Sequence, residues 1–166
     1  ILDSVPHLRT AKMYAAIKLA LVVIAMRENF RIVHHSVQGN HLHLIVEGEN
    51  KTAIWQGIRA FEISAARKIN DAYANPYRKK REGQVFADRY HIRPLRTPTE
   101  VRNCLAYVLG NWRHHPYSNR GQSLFGGKLD PYSRAIWFRG WADRTTPTIQ
   151  IPADYDPPPR CTPSTW

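Results

Sequence analysis

The stretch FRIVHHSVQGNHLHLIVE, residues 30–47, decides the fold, because two runs of strand-forming residues flank a turn. Phe30–Val37 is rich in apolar and β-branched residues, and His41–Glu47 alternates between polar and apolar positions. Gln38-Gly39-Asn40 between them is a turn signal. The pattern predicts an antiparallel β-hairpin.

Helical patterns precede and follow this hairpin. Apolar residues recur three and four positions apart within residues 10–27, which predicts a first helix, and a second apolar stripe predicts a helix over residues 51–74. The first stripe consists of Tyr14, Ile17, Leu21 and Ile24, and the second of Ile54, Ile58, Phe61, Ala65 and Ile69.

A further strand and a third helix are predicted after the second helix. Residues 85–96 alternate, with Arg89, His91 and Arg93 on one side, and are interpreted as a strand. Thr97 followed by proline, with Glu100 three positions on, has the signature of a capped helix start. This third helix is expected to reach about residue 113.

The order helix, two strands, helix, strand, helix predicts an α+β fold. We expect a ferredoxin-like sandwich, an antiparallel sheet with helices on one face, together with a helix that carries Tyr107; a strand lost before Ile1 would complete that unit. Residues 1–116 are expected to form the main domain, and residues 117–166 a partly irregular C-terminal extension with a short helix near residues 131–141.

The charge balance favours a polyanionic partner. Lys and Arg total 24 against 13 for Asp and Glu, which gives a net charge of +11.

The longest apolar run, residues 15–26, contains Lys18 and is too short to span a bilayer. Cys104 and Cys161 lie far apart in sequence, so neither a disulfide framework nor a thiolate zinc site is indicated. We expect a soluble cytoplasmic protein that binds nucleic acid.

Four residues are candidates for chemistry. His41 and His43 lie two apart on one strand, so their imidazoles project from the same face and suit a metal ion. Tyr107 and Asn111, four apart, share a flank of the third helix, which would place a phenol near an amide. A chance histidine pair and a half-buried helix tyrosine are the structural alternatives, since the chain has 8 histidines.

Three segments resemble the HUH superfamily, and in particular its REP-associated tyrosine transposases, an IS200-like group. Residues 40–44 (NHLHL) resemble the histidine strand, residues 107–111 (YVLGN) the tyrosine helix, and residues 83–91 (GQVFADRYH) the strand entry between them. The resemblance covers roughly residues 30–113. Trp112 departs from it, because proline commonly follows this asparagine in the family.

The resemblance implies roles for the four candidates. It implies Tyr107 as the nucleophile, and His41, His43 and Asn111 as ligands of Mg²⁺ or Mn²⁺. The implied reaction is transesterification of single-stranded or hairpin DNA through a 5′-phosphotyrosine intermediate, carried out in the bacterial cytoplasm at the nucleoid. Whether the chain forms a homodimer stays open.

The basic residues are the candidates for holding DNA. Arg78, Lys79, Lys80, Arg81, Arg89, Arg93 and Arg96 are expected to contact phosphates. Two other functions stay open. One is a non-catalytic nucleic-acid-binding module on the same frame, with packed histidines. The other is a metallohydrolase, for which Glu47 and Glu49 are the nearest acids.

Overall fold

A computed structural model of the chain describes residues 1–74, 77, 79–87, 90–111, 129–140, 158–159 and 161–164. In chain order the helices and strands are α1 (Ala11–Ala25), β1 (Phe30–Val37), β2 (Leu42–Gly48), α2 (Lys51–Tyr73) and α3 (Pro98–Gly110), followed by a 3₁₀ helix (Ala135–Trp137). The three predicted helices and the hairpin are therefore confirmed, each within a few residues of its expected bounds.

Side-chain caps fix where the three α-helices begin. Thr10 accepts a hydrogen bond from the amide of Met13 at the start of α1, and Asn50 accepts one from Ala53 at the start of α2. The predicted capping box of α3 forms between Thr97 and Glu100. Each cap satisfies an amide that the first helical turn leaves without a partner.

The hairpin is antiparallel, with Phe30 opposite Gly48 and Val37 opposite Leu42. Its register shifts between Ile32 and His34, so Val33 is an extra residue in β1. Such a bulge changes which face the following side chains occupy.

The two faces of the hairpin carry different helices. Leu42, Leu44 and Val46 of β2 pack into the main core with α1 and α2. Ile45, which points the other way, packs with Leu105 of α3 in a second core cluster. Odd-numbered positions of β2 therefore face α3.

Residues 129–138 pack against the hairpin, although they are far from it in sequence. Backbone hydrogen bonds run from Val37 N to the Tyr132 carbonyl (2.9 Å) and from Arg134 N to the His35 carbonyl (3.0 Å), so this segment lies along the free edge of β1. Where a short helix was expected near residues 131–141, a 3₁₀ helix forms at Ala135–Trp137. The rest of the predicted irregular extension lies largely outside the described residues.

The prediction of a strand over residues 85–96 is wrong for the described part of that range, which has no regular secondary structure. Its backbone hydrogen bond to another segment joins the Val85 carbonyl to Leu2 N (3.0 Å). Alternation alone does not make a strand, because a strand needs a partner along its length. Within the described ranges the sheet has two strands, so the α+β class holds and the ferredoxin-like arrangement stays a prediction. No helix in those ranges is long and apolar enough to cross a membrane.

Candidate functional site

The imidazoles of His41 and His43 meet on the face of the hairpin that looks toward α3. Their Nε2 atoms lie 3.1 Å apart, and the two rings are nearly perpendicular, with centroids 4.8 Å apart. Nδ1 of His41 lies 2.8 Å from Oδ1 of Asn40. His41 directly precedes β2, and the extended backbone that places residues two apart on one face produces this pairing.

Tyr107 lies against the same pair. Its ring centroid is 5.2 Å from that of His43, in an edge-on arrangement with 75° between the planes. Helix α3 buries Leu105, Val108 and Leu109 against the hairpin, which leaves Tyr107 on its flank with 53% of its surface exposed. The phenol is therefore beside an imidazole and half exposed.

Asn111 follows Tyr107 by one helical turn and is the C-cap residue of α3. Its side chain is almost fully buried, at 1% exposure, and its Nδ2 has no hydrogen-bond partner among the described residues. A buried amide with an unsatisfied end is costly unless something engages it. The unsatisfied atom is a donor and can engage only an acceptor, so the amide oxygen Oδ1 is the atom of this side chain that could bind a cation.

The donor set fits a small divalent cation. Two ligand atoms about 2.1 Å from one ion and at right angles around it would be about 3.0 Å apart, and the two Nε2 atoms are separated by 3.1 Å. The described residues contain no group of three or more His, Cys, Asp or Glu side chains able to hold a metal. Among the described residues a third protein ligand would therefore be of another type, and the amide of Asn111 is the candidate that the sequence predicts.

The neighbouring pair His34 and His35 has a different environment. Burial lowers the pKa of His34 to about 4, and Arg134 adds to this effect; burial likewise lowers the pKa of His35 to about 3. The ring of His34 packs edge-on against Phe138, and Nε2 of His35 lies 3.2 Å from the Tyr14 hydroxyl. These two are neutral packing residues.

Arg81, one of the predicted DNA contacts, holds the protein's own chain together. Its guanidinium donates to Oδ1 of Asn70 (2.9 Å), to Oγ of Ser4 (2.9 Å) and to the Gln84 carbonyl (2.8 Å). These bonds tie the loop after α2 to the end of that helix and to the N-terminal segment.

The other predicted DNA contacts are exposed or lie outside the described residues. Lys80 forms an exposed ion pair with Asp71 at 2.5 Å, and Arg93 forms one with Glu100 at 3.3 Å. The remaining four fall into two groups: Lys79 and Arg96 are exposed, and Arg78 and Arg89 lie outside the described residues.

The acid nearest in sequence to the histidine pair is engaged elsewhere. Glu47 is buried, at 8% exposure, and its Oε2 accepts hydrogen bonds from the amide (2.8 Å) and hydroxyl (3.1 Å) of Ser164. Glu49 is exposed at the far end of the hairpin. Neither arrangement favours the metallohydrolase alternative.

Comparison with known protein families gives a match to the family described as Transposase IS200 like, over residues 6–111. The match covers more than half of the chain and includes the hairpin, the histidine pair and α3. This chain belongs to the IS200-like transposase family. That family gives it a transposase role, which involves DNA binding, DNA cleavage and strand transfer. No curated protein and no solved structure matches the chain.

Two features of this region were not predicted from the sequence. Asn40 lies in the predicted turn and in the NHLHL segment, but no role was predicted for it. Its position directly before a predicted ligand histidine could have indicated one. The packing of residues 129–138 against β1 had no local signal, because no periodic pattern links that segment to the hairpin.

Proposed function

We propose that this chain is a single-tyrosine transposase that cleaves and rejoins single-stranded DNA at hairpin or repeat sequences, with Tyr107 as its nucleophile. The observation that carries the proposal is the contact of the Tyr107 ring with His43, 5.2 Å between centroids, in a chain of this family. An exposed phenol beside two imidazoles is suited to attack a phosphodiester of a bound strand.

The proposed reaction conserves bond energy. The Oη of Tyr107 attacks the scissile phosphorus, a 5′-phosphotyrosine bond forms, and the bond from phosphorus to the 3′-oxygen breaks. The phenol loses its proton and the departing 3′-oxygen gains one. A 3′-hydroxyl can later attack the phosphotyrosine and release Tyr107, so no nucleotide cofactor is consumed.

His41, His43 and Asn111 would hold a divalent cation, Mg²⁺ or Mn²⁺ in this family, and the imidazoles would also accept Zn²⁺. When bound, the cation supplies Lewis-acid stabilisation of the charge that develops on the phosphate. The chain's own contribution is rigidity. The strand holds the two imidazoles on one face, and α3 places Tyr107 beside them.

DNA would be held by exposed cations on the loop before α3. Lys79 and Arg96 are exposed there, and Arg93 is exposed in an ion pair with Glu100, whereas Arg81 is committed to Asn70, Ser4 and Gln84. With a net charge of +11, binding should weaken as salt increases. The place of action would be the nucleoid.

The test uses a Tyr107→Phe variant and a single-stranded oligonucleotide that folds as a hairpin with flanking repeat sequence. The parent should form a covalent adduct that survives denaturing electrophoresis. The variant should form none, because it lacks the attacking oxygen, while its affinity for the oligonucleotide should change by no more than about twofold.

Tyr77→Phe is the matched control, because Tyr77 is 96% exposed and should be irrelevant to the adduct. An adduct that persists in Tyr107→Phe would exclude Tyr107 as the nucleophile. If the parent binds the oligonucleotide but forms no adduct with either Mg²⁺ or Mn²⁺, the non-catalytic binding module is the correct function.

A further inference from the structure

Three side chains form a continuous hydrogen-bonded row at the candidate metal site. Oδ1 of Asn40 lies 2.8 Å from Nδ1 of His41, and Nε2 of His41 lies 3.1 Å from Nε2 of His43. A neutral imidazole carries one N–H and one lone pair. The partner of Nδ1 therefore decides what Nε2 can do.

We propose that Asn40 is a positioning residue that sets the tautomer of His41. A carbonyl oxygen only accepts hydrogen bonds, so Oδ1 of Asn40 requires the proton on Nδ1 of His41. Nε2 of His41 then carries the lone pair and faces the site. The inference rests on the proposed function, because it concerns the same metal ligands.

This assignment fixes the neighbouring histidine as well. With a lone pair on Nε2 of His41, the 3.1 Å contact requires that Nε2 of His43 carry its proton and donate it. In the metal-free neutral pair, His41 is thus ready to act as a ligand through Nε2, whereas His43 is not. His43 has to move its proton to Nδ1 before its Nε2 can be a ligand, and His41 needs no change.

The backbone holds Asn40 in place for this role. Gln38 N donates to the His41 carbonyl (2.9 Å), which closes the hairpin turn around Asn40, and Leu8 N donates to the Gly39 carbonyl (2.8 Å). A Cβ atom at Gly39 would lie 2.6 Å from Nε2 of His7, so the turn is packed tightly against the N-terminal segment. These contacts fix the backbone at Asn40, whose side chain is exposed, and orienting partners of histidine ligands typically change metal affinity by 10- to 100-fold.

The first experiment reads the tautomers directly in metal-free protein. Long-range ¹⁵N–¹H NMR spectra of histidine-labelled protein, recorded at a pH where the rings are neutral, distinguish a protonated ring nitrogen from one with a lone pair. The parent should have the proton of His41 on Nδ1 and that of His43 on Nε2. Asn40→Ala should lose the preference at His41, and Asn40→Asp, which keeps an acceptor oxygen, should restore it.

The second experiment measures Mn²⁺ affinity by calorimetry on the same proteins. Asn40→Ala should bind about 10- to 100-fold more weakly, Asn40→Asp should stay close to the parent, and Asn29→Ala, at the opposite end of the hairpin, is the control for general damage. Thermal melts report whether each variant folds.

The outcomes separate this inference from the proposed function. If His41 carries its proton on Nε2 in the parent, Asn40 acts as a donor and the inference is overturned, even if Tyr107 forms a DNA adduct. If the tautomers are as stated but neither the parent nor any variant binds Mn²⁺, the proposed metal site is wrong and the tautomer assignment still holds. Equal affinity in the parent and Asn40→Ala would also overturn the positioning role.

Discussion

At the scale of single residues, the two histidine pairs of the hairpin differ because different residues pack against them. His34 and His35 follow the extra residue Val33 and point to opposite faces, where Phe138 and Tyr14 cover them. His41 and His43 share one face and remain half-buried. Spacing in the sequence predicted the second pair as a unit, and only the packing of distant residues identifies the first as structural.

The buried pair should make the protein sensitive to mild acid. Because the pKa of His34 (about 4) and that of His35 (about 3) lie below the ordinary 6.5, the unfolded chain binds more protons as the pH falls below about 6.5. The free energy of unfolding should therefore be constant with respect to these groups above that pH, and should fall below it by up to about 1.4 kcal/mol per pH unit for each histidine.

Urea unfolding at about pH 7 and about pH 5 measures this effect. His34→Gln removes one ionisable ring and should flatten the difference between the two midpoints relative to the parent. Identical midpoints for the parent at both values would mean that the two rings are not held neutral by burial.

At the scale of elements, the sequence predicted a helix, turn or cap correctly where the interacting residues are close together in the chain. The stripes of α1 and α2, the turn of the hairpin and the capping box at Thr97 each depend on neighbours within about one turn, and all were predictable. The strand expected over residues 85–96 has the alternation, but among the described residues its backbone hydrogen bond to another segment is that of Val85 to Leu2. Helices α1 and α2 cover the face of the hairpin that carries Leu44, and α3 covers the face that carries Ile45. Alternation in the sequence shows that Leu44 and Ile45 point to opposite faces, but it does not show which helix covers each face.

Two helical glycines should respond oppositely to alanine. A Cβ at Gly57 of α2 would overlap the ring of Phe30, so Gly57→Ala should push the helix from the hairpin and cost about 1–3 kcal/mol. A Cβ at Gly110 of α3 has no atom of the described residues within 4 Å, and Gly110→Ala should stabilise the helix by up to about 1 kcal/mol. Chemical denaturation of both variants gives the comparison, and a loss of stability at Gly110 equal to that at Gly57 would contradict the packing described.

At the scale of the whole molecule, a buried ion pair connects the N-terminal segment to residues 129–138. Arg9 donates to both carboxylate oxygens of Asp130 (2.8 and 3.1 Å) and to the Val37 carbonyl (2.7 Å), and both charged side chains are fully buried. The family match ends at residue 111, yet Leu129 and Ala135 complete the core beneath α3. No pattern near residue 130 predicts this, because the contact spans 121 positions.

Removing that carboxylate should therefore destabilise the fold far more than removing an exposed one. Asp130→Ala leaves the Arg9 charge buried without its counter-ion, which typically costs about 3–5 kcal/mol. Asp71→Ala breaks the exposed pair with Lys80 and should cost no more than about 1 kcal/mol. A double variant, Arg9→Met with Asp130→Leu, should recover much of the loss, because it removes both buried charges together. Urea unfolding of the four proteins, parent included, decides the matter: similar losses for Asp130→Ala and Asp71→Ala would mean that residues 129–138 are not part of the cooperative core.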